Sequence, residues 1–386
     1  MLPFIDLKTQ YQRLKPQIDR RIAQVLDHGR FIMGPEVAEL ETALALYTGA
    51  GNVITCSSGT DALQMVLMAW DIGPGDAVFV PAFTFFATAE VVALLGATPV
   101  LVDVDPGTFN MNPNELEMAV KAFKYQNECL YPLPVGHEQL TPKAIIIVDL
   151  FGQPADYRKL LSIAQAYDLL TLEDAAQSFG AGYKSHKTAN LGCLAAITSF
   201  FPAKPLGCFG DGGAIFTNHE KLAASLKSIR AHGQGNHKYD HLRLGLTARL
   251  DTVQAAILLP KLAVFDEEIA ARQEVAAGYE KRLAGSGITT PYARSDILSV
   301  WSQYSILTPQ RDEVAEALRR NGIPSNIYYP RSLHQQPALR YLGYPEDSFA
   351  VSRGLCEKIL SLPMHPYLKS EDQDRICRII IQTIEK

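Results

Sequence analysis

The sequence predicts an α/β protein with a mostly parallel central sheet and a smaller α+β unit at its C-terminal end. Three observations carry this. Between Val53 and Asp174, short apolar runs alternate with stretches of helical periodicity, the rhythm of a sheet covered by helices on both faces. After Thr217 helical patterns dominate, ending in a long polar-studded stretch from Leu250 to Leu283 of the kind that joins two units. From about Ala284 onward strands and helices mix. The 386 residues leave room for two domains, drawn as 1–250 and 251–386.

Taken in order, Gln10 to His28 carries Ile18, Ile22, Val25 and Leu26 on one helical stripe. A turn at Gly34 and Pro35 leads to a second helix through Val37, Leu40, Leu44 and Tyr47. Val53 to Cys56 reads as a buried strand and Asp61 to Trp70 as a helix, with the small residues SSGT between them. Thr60 stands where an N-cap would. The outward amides of Gly59 and Thr60 suit a phosphate, although a plain capped helix has the same look.

Strands at Val78 to Pro81 and Pro99 to Val104 follow, with helices at Ala87 to Leu95 and Pro113 to Phe123. Tyr125 to Leu140 is polar, holds Pro132 and Pro134, and reads as a surface excursion. Two further strands, Ala144 to Asp149 and Leu169 to Asp174, flank a helix from Tyr157 to Tyr167, and each ends in an acid. Ala195 to Phe201 is the next strand, and His219 to Arg230 the next helix. The C-terminal unit offers strands at Gln303 to Leu307 and Ser325 to Tyr329, and helices at Asp312 to Asn321, Ser348 to Ile359 and Glu371 to Ile384.

Ligands of such sheets lie beyond the carboxyl ends of the strands, where this chain places reactive groups. Lys204 sits in TSFFPAKPLGCFGDGG (198–213), between an aromatic strand end and a glycine-dense loop. A partly desolvated amine there can form an imine with a carbonyl or with pyridoxal phosphate, although most lysines are solvated surface groups. A pyridoxal site also needs an acid for the ring nitrogen and a cradle for the phosphate. Asp174 at its strand end can be that acid, or a structural carboxylate like Asp149. Alternation puts Glu173 on the opposite face. Ser199 can offer a hydroxyl to a phosphate, and Phe83, Phe85 or Phe86 can lie over a planar ring or belong to the core.

Composition narrows the classes. A formal charge of -5 gives no basic footprint for nucleic acid. The start has no basic-then-apolar layout, and the apolar run Val91 to Val102 is broken by Gly96 and Pro99, so neither a signal peptide nor a membrane span is expected. Six scattered cysteines without a CxxC pair fit a reducing, cytoplasmic setting. His237 and His241 are four apart but lie in a loop-like stretch, and no metal is expected there.

The ordered set SSGTDAL, FTFFATAE, EDAAQSFGA, SFFPAKPLG…GDGG, RLDTVQAAIL and LSLPM resembles the DegT/StrS family of nucleotide-sugar aminotransferases, pyridoxal phosphate enzymes of fold type I, along nearly the whole chain. HGRFIMGPEV, SFFPAKPLGCFGDGG and RLDTVQAAILLPKL are most similar to members that aminate a UDP-linked 3-keto N-acetylglucosaminuronate. The resemblance implies Lys204 as the Schiff-base lysine and Asp174 as the pyridinium partner. It implies Gly59, Thr60 and Ser199 at the phosphate, Phe85 on the ring, and Gln177 near the phenolic oxygen. It further implies a homodimer with shared sites, glutamate as amino donor, and a retained lysine favouring amination over hydroxyl removal.

Two departures from the family pattern stand out. Thr247 replaces the asparagine that is commonly lent to the neighbour's phosphate, and a hydroxyl reaches less far than an amide. In YYPRSLH (328–334), the resemblance assigns Tyr328, Tyr329 and His334 to a substrate loop with tyrosine where histidine is frequent. Arg249 can grip a carboxylate through its guanidinium fork or be an ordinary helix-end arginine. Rival expectations are an aminotransferase of dTDP-3- or 4-keto-6-deoxyhexoses, a pyridoxal dehydratase or lyase, and a catalytically silent sensor of the cofactor or a nucleotide sugar.

Overall fold

The structure is a computed structural model that describes residues 2–237 and 239–385. Among the described residues the strands in chain order are β1 (Asn52–Cys56), β2 (Asp76–Pro81), β3 (Thr98–Val102), β4 (Thr141–Val148), β5 (Leu170–Asp174), β6 (Gly182–Tyr183), β7 (His186–Lys187), β8 (Ala195–Ser199), β9 (Gly213–Thr217), β10 (Ile297–Leu298), β11 (Tyr304–Leu307) and β12 (Ile359–Leu362). The helices are α1 (Leu7–His28), α2 (Pro35–Thr48), α3 (Gly59–Ala69), α4 (Ala87–Leu94), α5 (Pro113–Tyr125), α6 (Tyr157–Ala166), α7 (Glu220–Ile229), α8 (Thr252–Ala263), α9 (Phe265–Leu283), α10 (Arg311–Arg320), α11 (Ala350–Lys358) and α12 (Ser370–Ile384).

The main sheet has the order β1-β9-β8-β5-β4-β2-β3. β3, β2, β4, β5 and β8 run parallel, and β9 alone is antiparallel to both of its neighbours. Within β4 the stretch Ala144–Val148 is a continuous apolar run, because helices cover both faces of the sheet there. One large core joins α3, α4, α5 and α6 to the sheet. On the other side Phe179 stacks on Phe216 and Phe265 within a second cluster that takes in α2 and α8. Each such fully buried ring or branched chain contributes about 1.5–3 kcal/mol. A separate cluster joins α9, α10 and α12 to the antiparallel pair β11–β12.

Three expectations change, and the main sheet gains a strand. The predicted helix from Leu250 to Leu283 is two helices that break at Val264 (φ -111°, ψ 7°). Pro260 removes one backbone donor near the end of α8, and Asp266, Glu267 and Glu268 start α9 afresh at its positive end. Ser325 to Tyr329 is not a strand but a loop that touches β12 through one bridge, Asn326 to Ser361. Residues 125–140 are no mere surface excursion: Tyr131 and Leu133 enter the large core, and the Tyr131 hydroxyl accepts from Asp103 N at 2.8 Å. Gly213–Thr217, unassigned from sequence, is the strand that turns the sheet antiparallel.

Candidate active site

The strands β5 and β8 end side by side, and the chemistry-bearing residues collect beyond them. β5 ends in Asp174, whose buried carboxylate accepts from Ala176 N at 3.0 Å. Lys204 follows β8 on a turn in which its amide donates to Phe201 O at 2.8 Å. The two side chains are close enough for their charges to interact. Burial lowers the Lys204 amine below the ordinary lysine value, with Asp174 working against it. Burial raises the Asp174 carboxyl, with Ala176 N and Lys204 working against it.

The phosphate-like cradle is built by close backbone approach. A Cβ on Gly59 would lie 2.8 Å from Ser199 Cβ, so only glycine lets α3 begin against the end of β8. A Cβ on Gly213, the cross-strand partner of Ser199, would lie 2.5 Å from Ser58 O, so the start of β9 presses on the same helix start. The N-cap is Ser58, not Thr60: Ser58 Oγ accepts from Asp61 N at 3.0 Å, and Thr60 lies inside the helix. The cap lies two residues earlier than expected because three nearby residues, Ser57, Ser58 and Thr60, all have capping chemistry. Ser199 Oγ accepts from Phe201 N at 3.3 Å, which leaves its hydroxyl hydrogen to donate.

Gln177 is held at both ends, accepting from Phe151 N at 2.8 Å and donating to the Tyr329 hydroxyl at 3.1 Å. One amide hydrogen remains for a ligand. The Tyr329 ring lies 6.3 Å from that of Phe85, which is 55% exposed and therefore is not the core residue the sequence allowed. Phe83, by contrast, is buried against Phe151 and Tyr329. Tyr328 packs edge-on against Tyr329 and accepts from Asn326 Nδ2 at 3.3 Å.

Ser57 N donates to Ala248 O at 3.3 Å and so brings the 247–249 segment to the start of α3. Arg249 Nε is buried there without a partner, an orphan donor. Thr247 is exposed and pairs with His232 Nε2 at 2.7 Å. His334 does not stand with the others. Its buried ring meets Ser332 Oγ at 3.0 Å and Glu346 O at 3.2 Å, so both nitrogens serve the loop's own fold. His237 and His241 lie off any helix, and His241 Nδ1 bonds to His232 O at 2.8 Å.

Sequence reasoning passed over two groups. Asp149 was left as a possible structural acid, yet it is fully buried and its own amide donates to Asp174 O at 3.1 Å. Lys261 drew no attention as one helical lysine among many. It is buried, donates to Gly207 O at 2.6 Å three residues beyond Lys204, and lies 4.4 Å over the Phe209 ring.

A buried acid and a lysine at adjacent strand ends, beside a helix that starts against bare backbone, define a pyridoxal phosphate enzyme of fold type I. The residues fit that cofactor, given the glycine cradle, the orphan donor at Arg249 and the half-free amide of Gln177. The chain belongs to the DegT/DnrJ/EryC1/StrS aminotransferase family, whose sequence profile matches residues 12–381. It is 48% identical to the UDP-2-acetamido-2-deoxy-3-oxo-D-glucuronate aminotransferase of Pseudomonas aeruginosa, over 98% of this chain and 99% of that one. A crystal structure of a family aminotransferase from Brucella abortus shares 46% identity at a TM-score of 0.94, with both chains fully covered. NtdA from Bacillus subtilis, solved with bound cofactor PMP, shares 28% identity at a TM-score of 0.86 over 100% of this chain and 85% of that one.

Proposed function

We propose that this aminotransferase moves an amino group from glutamate to the keto carbon of UDP-2-acetamido-2-deoxy-3-oxo-glucuronate, in amino-sugar biosynthesis for a polysaccharide. The observation that supports the reading most is the interacting pair Lys204 and Asp174 beside the Gly59–Ser199 cradle, in a chain so similar end to end to an enzyme of that name. Pyridoxal 5'-phosphate, when bound, supplies the electron sink that makes the carbon next to an amine acidic.

The chain's own residues divide the rest of the work. Lys204 holds the cofactor and takes and returns a proton at Nζ, and burial favours the uncharged amine this requires. Asp174 keeps the ring nitrogen protonated. Gly59 and Thr60 offer amides at the positive end of α3, and Ser199 adds a hydroxyl, so the phosphate is held without a metal. Phe85 would cover the ring, and Gln177 would have one amide hydrogen left to offer the phenolic oxygen. Arg249 would grip a carboxylate of the sugar or of glutamate, and Tyr328 and Tyr329 would serve the substrate loop. His334 shapes the loop that carries those tyrosines.

The active unit in this reading is a cytoplasmic homodimer in which Thr247 approaches the neighbour's phosphate. No helix among the described residues is long and apolar enough to cross a membrane. The reading keeps a cofactor-binding domain over 1–250 and a smaller C-terminal domain with its linking helix over 251–386. Ile257 and Leu258 of α8 pack with α1 and α2, respectively.

The test is to give the purified holoenzyme glutamate, measure 2-oxoglutarate, and then offer a panel of UDP- and dTDP-linked keto sugars. The reading expects the UDP-3-oxo-glucuronate to restore the starting absorption spectrum. Restoration by a dTDP-keto sugar alone would reassign the substrate, and no 2-oxoglutarate at all would favour a sensor.

A further inference from the structure

We propose that Asp149 is a positioning residue for this reaction, a buried carboxyl group behind Asp174 whose charge sets how tightly Asp174, and through it the cofactor's ring nitrogen, holds a proton. The proposal rests on the functional reading above.

Asp149 follows β4 directly and is 0% exposed. Its Oδ1 accepts from Ala155 N at 2.9 Å and from the Tyr157 hydroxyl at 3.0 Å, and its Oδ2 accepts from Ser178 Oγ at 2.9 Å. Its main chain is tied to the site, since Asp149 N donates to Asp174 O at 3.1 Å. The titratable groups that face it are Tyr157 from α6, Glu173 and Asp174 from β5, and Cys193 just before β8. None of these is a cation. Lys204 acts on Asp174 instead.

Two neighbouring buried carboxyls cannot both lose their protons at ordinary values, and the one with the cation ionises first. Asp174 has Lys204. Asp149 is therefore second, and burial, reinforced by Asp174, pushes it up to about 7 against its three donors. The neutral form is accommodated because the hydroxyls of Tyr157 and Ser178 can turn from donating to accepting. The charge behind the cofactor's acid thus changes by one near neutrality. When Asp149 is charged, the added negative potential strengthens proton holding at Asp174 and the ring nitrogen.

Asp149→Asn keeps the shape and removes the charge. A carboxyl raised in the folded state binds its proton more tightly there than in the unfolded chain, so its contribution weakens stability as pH rises toward the folded value. In the protein without cofactor, the wild-type melting temperature should fall relative to the Asn variant between about pH 4 and about pH 7, then stay level. With cofactor bound, the absorption titration of the Asn variant should turn over about 0.5–1 pH unit lower than that of the wild type. Ser178→Ala removes a donor that favours the charged form, so it should move the melting inflection to higher pH, and it serves if the Asn variant does not fold. Parallel melting curves and identical titrations in both variants would overturn the proposal. Failure of the wild type to take pyridoxal phosphate would overturn the functional reading, yet the melting comparison would still report on Asp149.

Discussion

Gly59→Ala tests the cradle, because the structure states what the added methyl group meets. The new Cβ would lie 2.8 Å from Ser199 Cβ and 3.3 Å from its Cα and Oγ. Carbon atoms settle about 3.5–4.0 Å apart, so the start of α3 must withdraw from the end of β8 by about 0.7–1.2 Å. The same helix start is also tight against Gly213, the cross-strand partner of Ser199, which packs on Ser58. Overpacking of this kind costs about 1–3 kcal/mol, offset by the ~0.5–1 kcal/mol that alanine gains over glycine in a helix. The larger effect falls on the cofactor. A hydrogen bond to a charged group contributes about 1.5–3 kcal/mol, so losing one at the phosphate weakens binding ~10- to 150-fold. The assay is a titration of pyridoxal phosphate into the cofactor-free variant, alongside thermal melts. Gly354→Ala, inside α11 with nothing within 4 Å of the new Cβ, is the control and should bind as the wild type does. A Gly59→Ala protein that binds the cofactor within about twofold of wild type would refute the cradle argument.

Two further predictions concern charged groups near the site. Lys261 is pushed down to about 8 by burial, so the folded chain sheds that proton before the unfolded chain does. Wild-type stability should therefore rise, relative to Lys261→Met, between about pH 8 and about pH 10.5, by on the order of 3 kcal/mol; denaturant melts across that range check it, and equal slopes would contradict it. Arg249→Ala should raise KM for the acidic UDP-sugar by ~10- to 100-fold, the worth of one charged pair, and raise it far less for a neutral analogue. Equal losses with both sugars would remove Arg249 from the carboxylate.

Local signals made much of this protein legible. The strand, small-residue turn and helix at 52–69 are visible because buried parallel strands must be apolar and helix stripes must recur every three to four residues. Asp174 and Lys204 stand out because a strand end and a glycine-dense loop are where such groups can meet a ligand. What stayed hidden depends on contacts between distant segments. Val264 breaks a helix whose periodicity runs on, because α9 leaves the core of α8 after Phe265 and Ile269 and packs from Val275 onward in another. Ser325 to Tyr329 has strand composition but joins β12 by a single bridge, since the chain leaves to place Tyr329 over Phe83 and beside Gln177. The His334 ring bonds to Ser332 Oγ and to Glu346 O, twelve residues away, a contact that no local signal shows. Asp149 and Lys261 carry no motif of their own. Their importance comes from burial beside groups that sequence reasoning had already singled out.

The central claim is that one lysine carries the cofactor in a cleft shared with Asp174. The direct measurement is borohydride reduction of the holoenzyme followed by peptide mass mapping. The account predicts that the cofactor's mass stays on the peptide containing Lys204, and that Lys204→Ala folds normally yet retains none. Label on Lys184, Lys187 or Lys261, or undiminished labelling of the Ala variant, would contradict it.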